Sequence, residues 1–340
     1  MTIYDIARSC SVSIATVSRV LNGSNKVSPK TREKVLAAMN EHNYKPNPFA
    51  RGLGLNSMKM IGILCTDVSD AFFAKAVSLV EYDLRKRGFD VILACTGNEL
   101  SDKKKYLQLF LDKHVDAIIL IGSPFREEQD NSHIEKTAKQ IPIIIINSLL
   151  DVPNIYCVLC DEKEGMQKAI ELLAKQNCDN ILYLYDSLSY SGQQKLSGYK
   201  TAVQQYNLKQ TPHLIQKIPR TLEAAEAITI KLLDSGIKLS AIAASEDLLA
   251  VGAQKALSAR GLVLPVIGFN NSILAECSTP ALTSIDNRLD VLCPAAVKIL
   301  AQILSGDFAA APSKTIFPSL LVERESFSQN TPTKKEADIY

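Results

Sequence analysis

From residue 60 onward, short apolar runs alternate with longer amphipathic stretches, and no other feature limits the possible folds as much. The runs at 61–65, 90–95, 116–122, 141–146 and 154–160 are rich in Ile, Val and Leu. Runs that short, and apolar throughout rather than at every second residue, read as strands covered on both faces. Segments 72–87 and 101–113 carry their apolar residues at helical spacing. The series continues with helices over 162–176, 193–206, 222–235 and 247–260, and strands over 180–185, 241–244 and 263–268. Helices between buried strands predict βαβ units in parallel sheets. About 270 residues are too many for one such sheet, so two similar halves are expected, one beginning near Met60 and one near Asp161.

The first 45 residues follow a different pattern. Ile3, Ile6 and Ala7 recur at helical spacing, as do Val17, Val20 and Leu21. Two short helices are therefore expected. The second is N-capped by Ser13 and stopped at Asn22-Gly23. A third runs from Pro29 to about His42 behind the capping Ser28. A short helix with a polar N-terminal end is what enters a major groove. Residues 1–58 hold eight Lys and Arg against three acids, a net +5, in a chain whose total is +2. A basic head on a slightly acidic body suits phosphate binding by the head.

Composition removes other classes. Apolar residues make up 46% and charged residues 22%, ordinary for a globular protein, and no run approaches the roughly 18 residues of a membrane span. No basic-then-apolar leader opens the sequence, and eight scattered cysteines suit a reducing cytoplasm. Cys157 and Cys160 have metal-ligand spacing but lie in a strand-like run with no second pair, so they read as structural. His42, His114, His133 and His213 are dispersed, and no glycine-rich phosphate loop follows a strand. No enzymatic activity, cofactor or metal is expected.

The head carries Tyr4-Asp5-Ile6-Ala7, Val12-Ser13, the block from Thr16 to Asn22, Val27-Ser28, Thr31-Arg32, Asn43-Tyr44 and Pro46-Asn47. On these stretches it resembles the DNA-binding domain of the lac repressor/galactose repressor family of bacterial transcription regulators. The likeness continues through Asp70-Ala71-Phe72-Phe73, Asp161 with Gly165, Gly198-Tyr199, Glu246-Asp247 with Ala250 and Gly252, Ile267-Gly268-Phe269, Pro280 to Ile285, and a last strand over 321–326. The resemblance implies an all-α helix-turn-helix head (1–45), a hinge helix (46–58) and an α/β core (59–327) like periplasmic binding proteins. That core has two Rossmann-like lobes with parallel sheets, lobe 1 about 59–160 and 288–318, lobe 2 about 161–287 and 319–327, before a frayed tail at 328–340. The chain would cross back to lobe 1 after about Asp286, with 289–304 a helix of that lobe.

Carried onto this sequence, the family places Ile14, Ala15, Thr16 and Arg19 at base edges, with specificity leaning on Thr16, Ser18 and Arg19. Arg19 is the strongest candidate, because a guanidinium donates two hydrogen bonds to guanine. Tyr4, Ser13, Asn22, Ser28 and Thr31 would hold phosphates. In the hinge, Asn47, Ala50 and Arg51 accompany Leu53, whose side chain would wedge between base pairs in the minor groove. Gly52 and Gly54 weaken that helix by about 1 kcal/mol each, so it should order only on DNA.

Phe72, Phe73, Asn147, Lys195, Arg220, Asp247 and Asn270 are the expected effector contacts. Lys195 stands where most relatives carry a sugar-binding arginine, and Asn147 and Asn270 where aspartates are common, with Asn271 following. Acids replaced by amides beside a cation favour an anionic ligand, a sugar acid. The resemblance thus implies a cytoplasmic homodimer that represses carbohydrate-catabolism genes. It would bind a pseudo-palindromic operator in double-stranded DNA and sense a sugar or sugar acid between its lobes, away from any membrane. The alternatives are a catabolite-control regulator that binds a phosphorylated carrier protein and, remotely, a solute-binding protein.

Overall fold

The computed structural model describes residues 2–21, 24–42 and 57–328. Helices α1 (Ile3–Ser9), α2 (Ile14–Leu21) and α3 (Pro29–Glu41) form the head. They close over a small core of Ile6, Ala7, Cys10, Val17, Val20, Val35 and Met39. Each helix is started by a side chain that satisfies an otherwise open N–H. Thr2 and Asp5 form a capping box on α1, and Ser28 accepts from the Thr31 amide at 3.2 Å on α3.

The rest of the chain folds around two six-stranded sheets. The first holds β1 (Met60–Cys65), β2 (Asp90–Cys95), β3 (Ala117–Ile121), β4 (Ile143–Ile146), β5 (Ile155–Asp161) and β11 (Lys314–Pro318). The second holds β6 (Ile181–Tyr185), β7 (Ile215–Lys217), β8 (Ala241–Ala244), β9 (Val266–Phe269), β10 (Thr283–Asp286) and β12 (Leu320–Val322). Every described pairing is parallel except β10 with β12. Strand alternation builds a separate core on each face of the first sheet. Ile119 and Ile121 join one, while Ile118 and Leu120 join the other. That is why these strands are apolar at consecutive positions. Cys157 and Cys160 fall on opposite faces by the same rule and cannot act as a pair.

Helix α12 (Leu289–Leu304) packs into the core of the first sheet, so the chain returns there after β10. It then adds β11 to the first sheet and β12 to the second. The expected final strand over 321–326 is shorter: β12 ends at Val322, and Glu325–Ser328 form a helical turn, α13, whose Phe327 seals the second lobe. Strands β7 and β11 escape the sequence pattern because they lie at the sheet edges and their residues are half polar. No helix among the described residues is long and apolar enough to cross a membrane.

Candidate nucleic-acid interface and ligand cleft

Helix α2 divides its residues by exposure. Val17 and Val20 are buried, whereas Ser13, Ile14, Ala15 and Arg19 are exposed and Thr16 and Ser18 half-buried. An Ile that is 40% exposed on so small a domain is poor packing and good contact surface. The Ser13 hydroxyl accepts from the Thr16 amide at 3.1 Å and lies 2.9 Å from the Thr16 hydroxyl, so both belong to the cap. Ser28 and Thr31 repeat the arrangement at α3. Tyr4 stands exposed on α1. Arg32 donates to the Ser24 carbonyl at 2.6 Å and steadies the link between α2 and α3. Asn22, Asn47, Ala50, Arg51 and Leu53 lie outside the described residues.

A cavity of about 820 Å³ opens between the lobes. Its walls are the residues that follow strands: Thr66 and Asp67 after β1, Gly122 and Ser123 after β3, Asn147 after β4, Asp186 after β6, Ser245 and Glu246 after β8, and Asn270 after β9. The carboxyl ends of parallel strands are where open α/β sheets bind ligands. Phe72 and Phe73 reach it from α4 (Ala71–Lys86), packed edge to face. Asp70 caps that helix, accepting from the Phe72 and Phe73 amides at 2.8 and 3.3 Å.

Charge in the cleft forms a chain. Lys195 on α8 (Tyr190–Gln205) is 2% exposed. Its ammonium donates to the Ser245 carbonyl at 3.0 Å and to Glu246 at 3.4 Å, lies 3.7 Å from Glu162, and sits over the Phe269 ring. Burial pulls the Lys195 pKa down, but Glu246, Glu162 and Asp186 together outweigh it and hold the amine charged. Arg220 lies 3.2 Å from Glu246 and pairs with Asp70 of the other lobe. Burial raises the Glu246 carboxyl above the usual range, Lys195 and Arg220 oppose the rise, and Asp186 and Asp70 add to it.

Two expectations need correction here. Asp247 does not line the cleft. It is 2% exposed, and its carboxylate accepts from Ser284 at 2.6 Å and from the Ser272 amide and hydroxyl at 2.7 and 2.8 Å. It holds the loop after β9 in place. Glu246, its neighbour in the same sequence block, is the wall residue. The inference of an anionic ligand also loses its premise, because each amide has a carboxylate beside it. Asn147 donates to Glu162 at 3.2 Å, Asn270 to Glu246, and Asn271 to Asp286 at 3.0 Å. The negative charge has moved to a neighbour rather than vanished. All three asparagines also have positive φ, a conformation that Asn tolerates well. Asp186 and Ser245 were legible as residues immediately following predicted strands; Glu162 had no such signal.

The family model for bacterial regulatory proteins of the lacI family matches residues 2–47. The model for periplasmic binding proteins and the sugar-binding domain of the LacI family matches 58–308. An HTH-type transcriptional regulator of Lachnoclostridium phytofermentans is 46% identical over 96% of this chain and 99% of its own. The ribose operon repressor of Halalkalibacterium halodurans is 31% identical over 88% and 89%. The lac repressor dimer bound to operator and an anti-inducer superposes with a TM-score of 0.83 at 26% identity, over 96% and 98% of the two chains. A reading head, a two-lobed core with its cleft at the strand ends, and these matches along nearly the whole chain make it a member of the lacI family of helix-turn-helix transcriptional regulators.

Proposed function

We propose that this chain is a sugar-responsive repressor of carbohydrate-catabolism genes. It acts in the cytoplasm as a homodimer on a pseudo-palindromic operator and carries no enzymatic activity. The observation that carries the reading is the cleft, walled by the residues that follow the strands of both lobes, in a chain whose head exposes one face of α2. A ligand seated there touches both lobes, so it binds their open and closed arrangements with different affinity, which is what switching requires. The lac repressor dimer is one relative that binds operator and a small anti-inducer together.

On the DNA side, Arg19 reads a guanine, Ile14 and Ala15 meet thymine methyls, and Thr16 and Ser18 add polar contacts. Tyr4, Ser13, Ser28 and Thr31, with Asn22, set the register on phosphates. Asn47, Ala50, Arg51 and Leu53 form the hinge contacts. On the ligand side, Phe72 and Phe73 give a sugar an apolar face. Asn147, Asp186, Glu246 and Asn270 accept or donate bonds at its rim, and Lys195 holds Glu246 in place.

The test is fluorescence anisotropy of the purified protein on DNA selected from random duplexes, with and without a panel of sugars. We expect one sugar class to change operator affinity with no second protein present. A response that requires a phosphorylated carrier protein would replace this reading with the catabolite-control one.

A further inference from the structure

The polar groups of the cleft divide unevenly. Three of its donors are spent: Lys195 on Ser245 and Glu246, the Asn147 amide nitrogen on Glu162, and the Asn270 amide nitrogen on Glu246. One acceptor is not. Asn147 is 5% exposed, and its carbonyl oxygen has no partner. The bond to the Glu162 carboxylate fixes which way the amide points, because only the nitrogen can donate, so the orphaned oxygen is the other end. Charge is equally one-sided. Asp67, Asp70, Asp186 and Glu246 line the cleft against Lys195 and Arg220, with Glu162 buried behind Lys195. Arg220 occupies a position between lobes, its guanidinium held by Asp70 on one side and Glu246 on the other. It sits between β7 and α9 (Leu222–Asp234), and its side chain is 35% exposed, so it can leave for solvent.

Resting on the reading of this cleft as the effector site, we propose that the effector is a polyhydroxylated amine, an amino sugar in its protonated form, whose ammonium displaces the Arg220 guanidinium from between Asp70 and Glu246. A hydroxyl then supplies the donor that the Asn147 carbonyl oxygen lacks. The ammonium takes over the compensation that Arg220 gave Glu246, whose carboxyl burial raises. A carboxylated ligand meets the opposite situation, with both cations already paired and the remaining wall acidic.

The experiment is calorimetric titration of the full-length dimer with glucosamine and galactosamine. Their N-acetyl forms, the parent neutral hexoses and the corresponding hexuronates complete the panel. We expect an amine to bind at least ten-fold tighter than its N-acetyl and neutral counterparts, with affinity falling as pH rises through the amine's own pKa. In Asp70→Asn, which keeps the helix cap, amine binding should drop about ten-fold or more while neutral-sugar binding changes little, and in Glu246→Gln the amine should lose more affinity than the neutral sugar. Circular dichroism checks that both variants are folded, and either alone suffices. Arg220→Ala should bind the amine more tightly, its competitor having been removed; binding ten-fold weaker would make Arg220 a ligand contact and overturn displacement. A neutral hexose or hexuronate binding as tightly as the amine would overturn the amine and leave the sugar reading standing. No binding by any member of the panel would remove both.

Discussion

Arg19 and Asp247 illustrate how differently two charged side chains serve such a molecule. Arg19 is exposed on the outer face of α2. As a bidentate guanine contact it should be worth about 1–3 kcal/mol, lost in Arg19→Ala from the specific complex only. Equal losses on operator and random duplex would make it a phosphate contact instead. Asp247 is buried beneath the cleft, where desolvation outweighs its bonds from Ser284 and Ser272 and lifts its pKa from 3.8 to about 6. Between those values the folded chain keeps a proton that the unfolded chain has released. Its contribution to stability therefore falls as pH rises through that window, by about 3 kcal/mol in all. Asp247→Asn should remove this slope. Urea midpoints between pH 4 and 6 that track each other in the two proteins would show that Asp247 is not the source.

Among the elements, the start of α2 can be separated into two roles. Ser13 caps the helix, and in the proposed complex it also faces a phosphate. Ser13→Ala should cost the head about 1 kcal/mol, whereas Ser13→Asp should keep the cap and still lose operator affinity through charge repulsion. Operator binding by Ser13→Asp equal to wild type would end the phosphate role. In the hinge, Leu53→Ala should reduce operator bending in a FRET assay while sugar binding persists, and an unchanged bend would remove the wedge. Elements of this kind were the legible part. Fully buried strands such as β3 announce themselves because both faces must be apolar, and the caps at Ser13 and Ser28 mark helix starts. The cleft was legible only in outline. Which carboxylate accompanies Asn147 or Asn270 depends on Glu162 and Glu246, which fold in from other elements, and no local spacing reveals such a pairing. Asp247 was misplaced for a related reason: one step along α10 (Asp247–Ala259) turns a side chain from the cavity into the core.

For the whole molecule, lobe 2 is not a self-sufficient stretch of chain. β12 covers the edge of β10, and the Ser326 hydroxyl accepts from the Thr283 amide at 2.8 Å and donates to the Val266 carbonyl at 2.6 Å. A fragment spanning 162–286 should therefore lack a cooperative thermal transition, and joining 319–328 after 286 through a short linker should restore it; a fragment that melts cooperatively without that segment would contradict this. The chain passes between lobes after Asp161, after Asp286 and between Pro318 and Leu320. Pro318 is the register partner of Asp161, and Leu320 of Asp286, so all three crossings run side by side. Three adjacent tethers act like the spine of a book. The covers can swing apart about the spine, but turning one against the other would stretch at least one tether. Whatever ligand the cleft takes, its binding is thereby converted into a single opening angle.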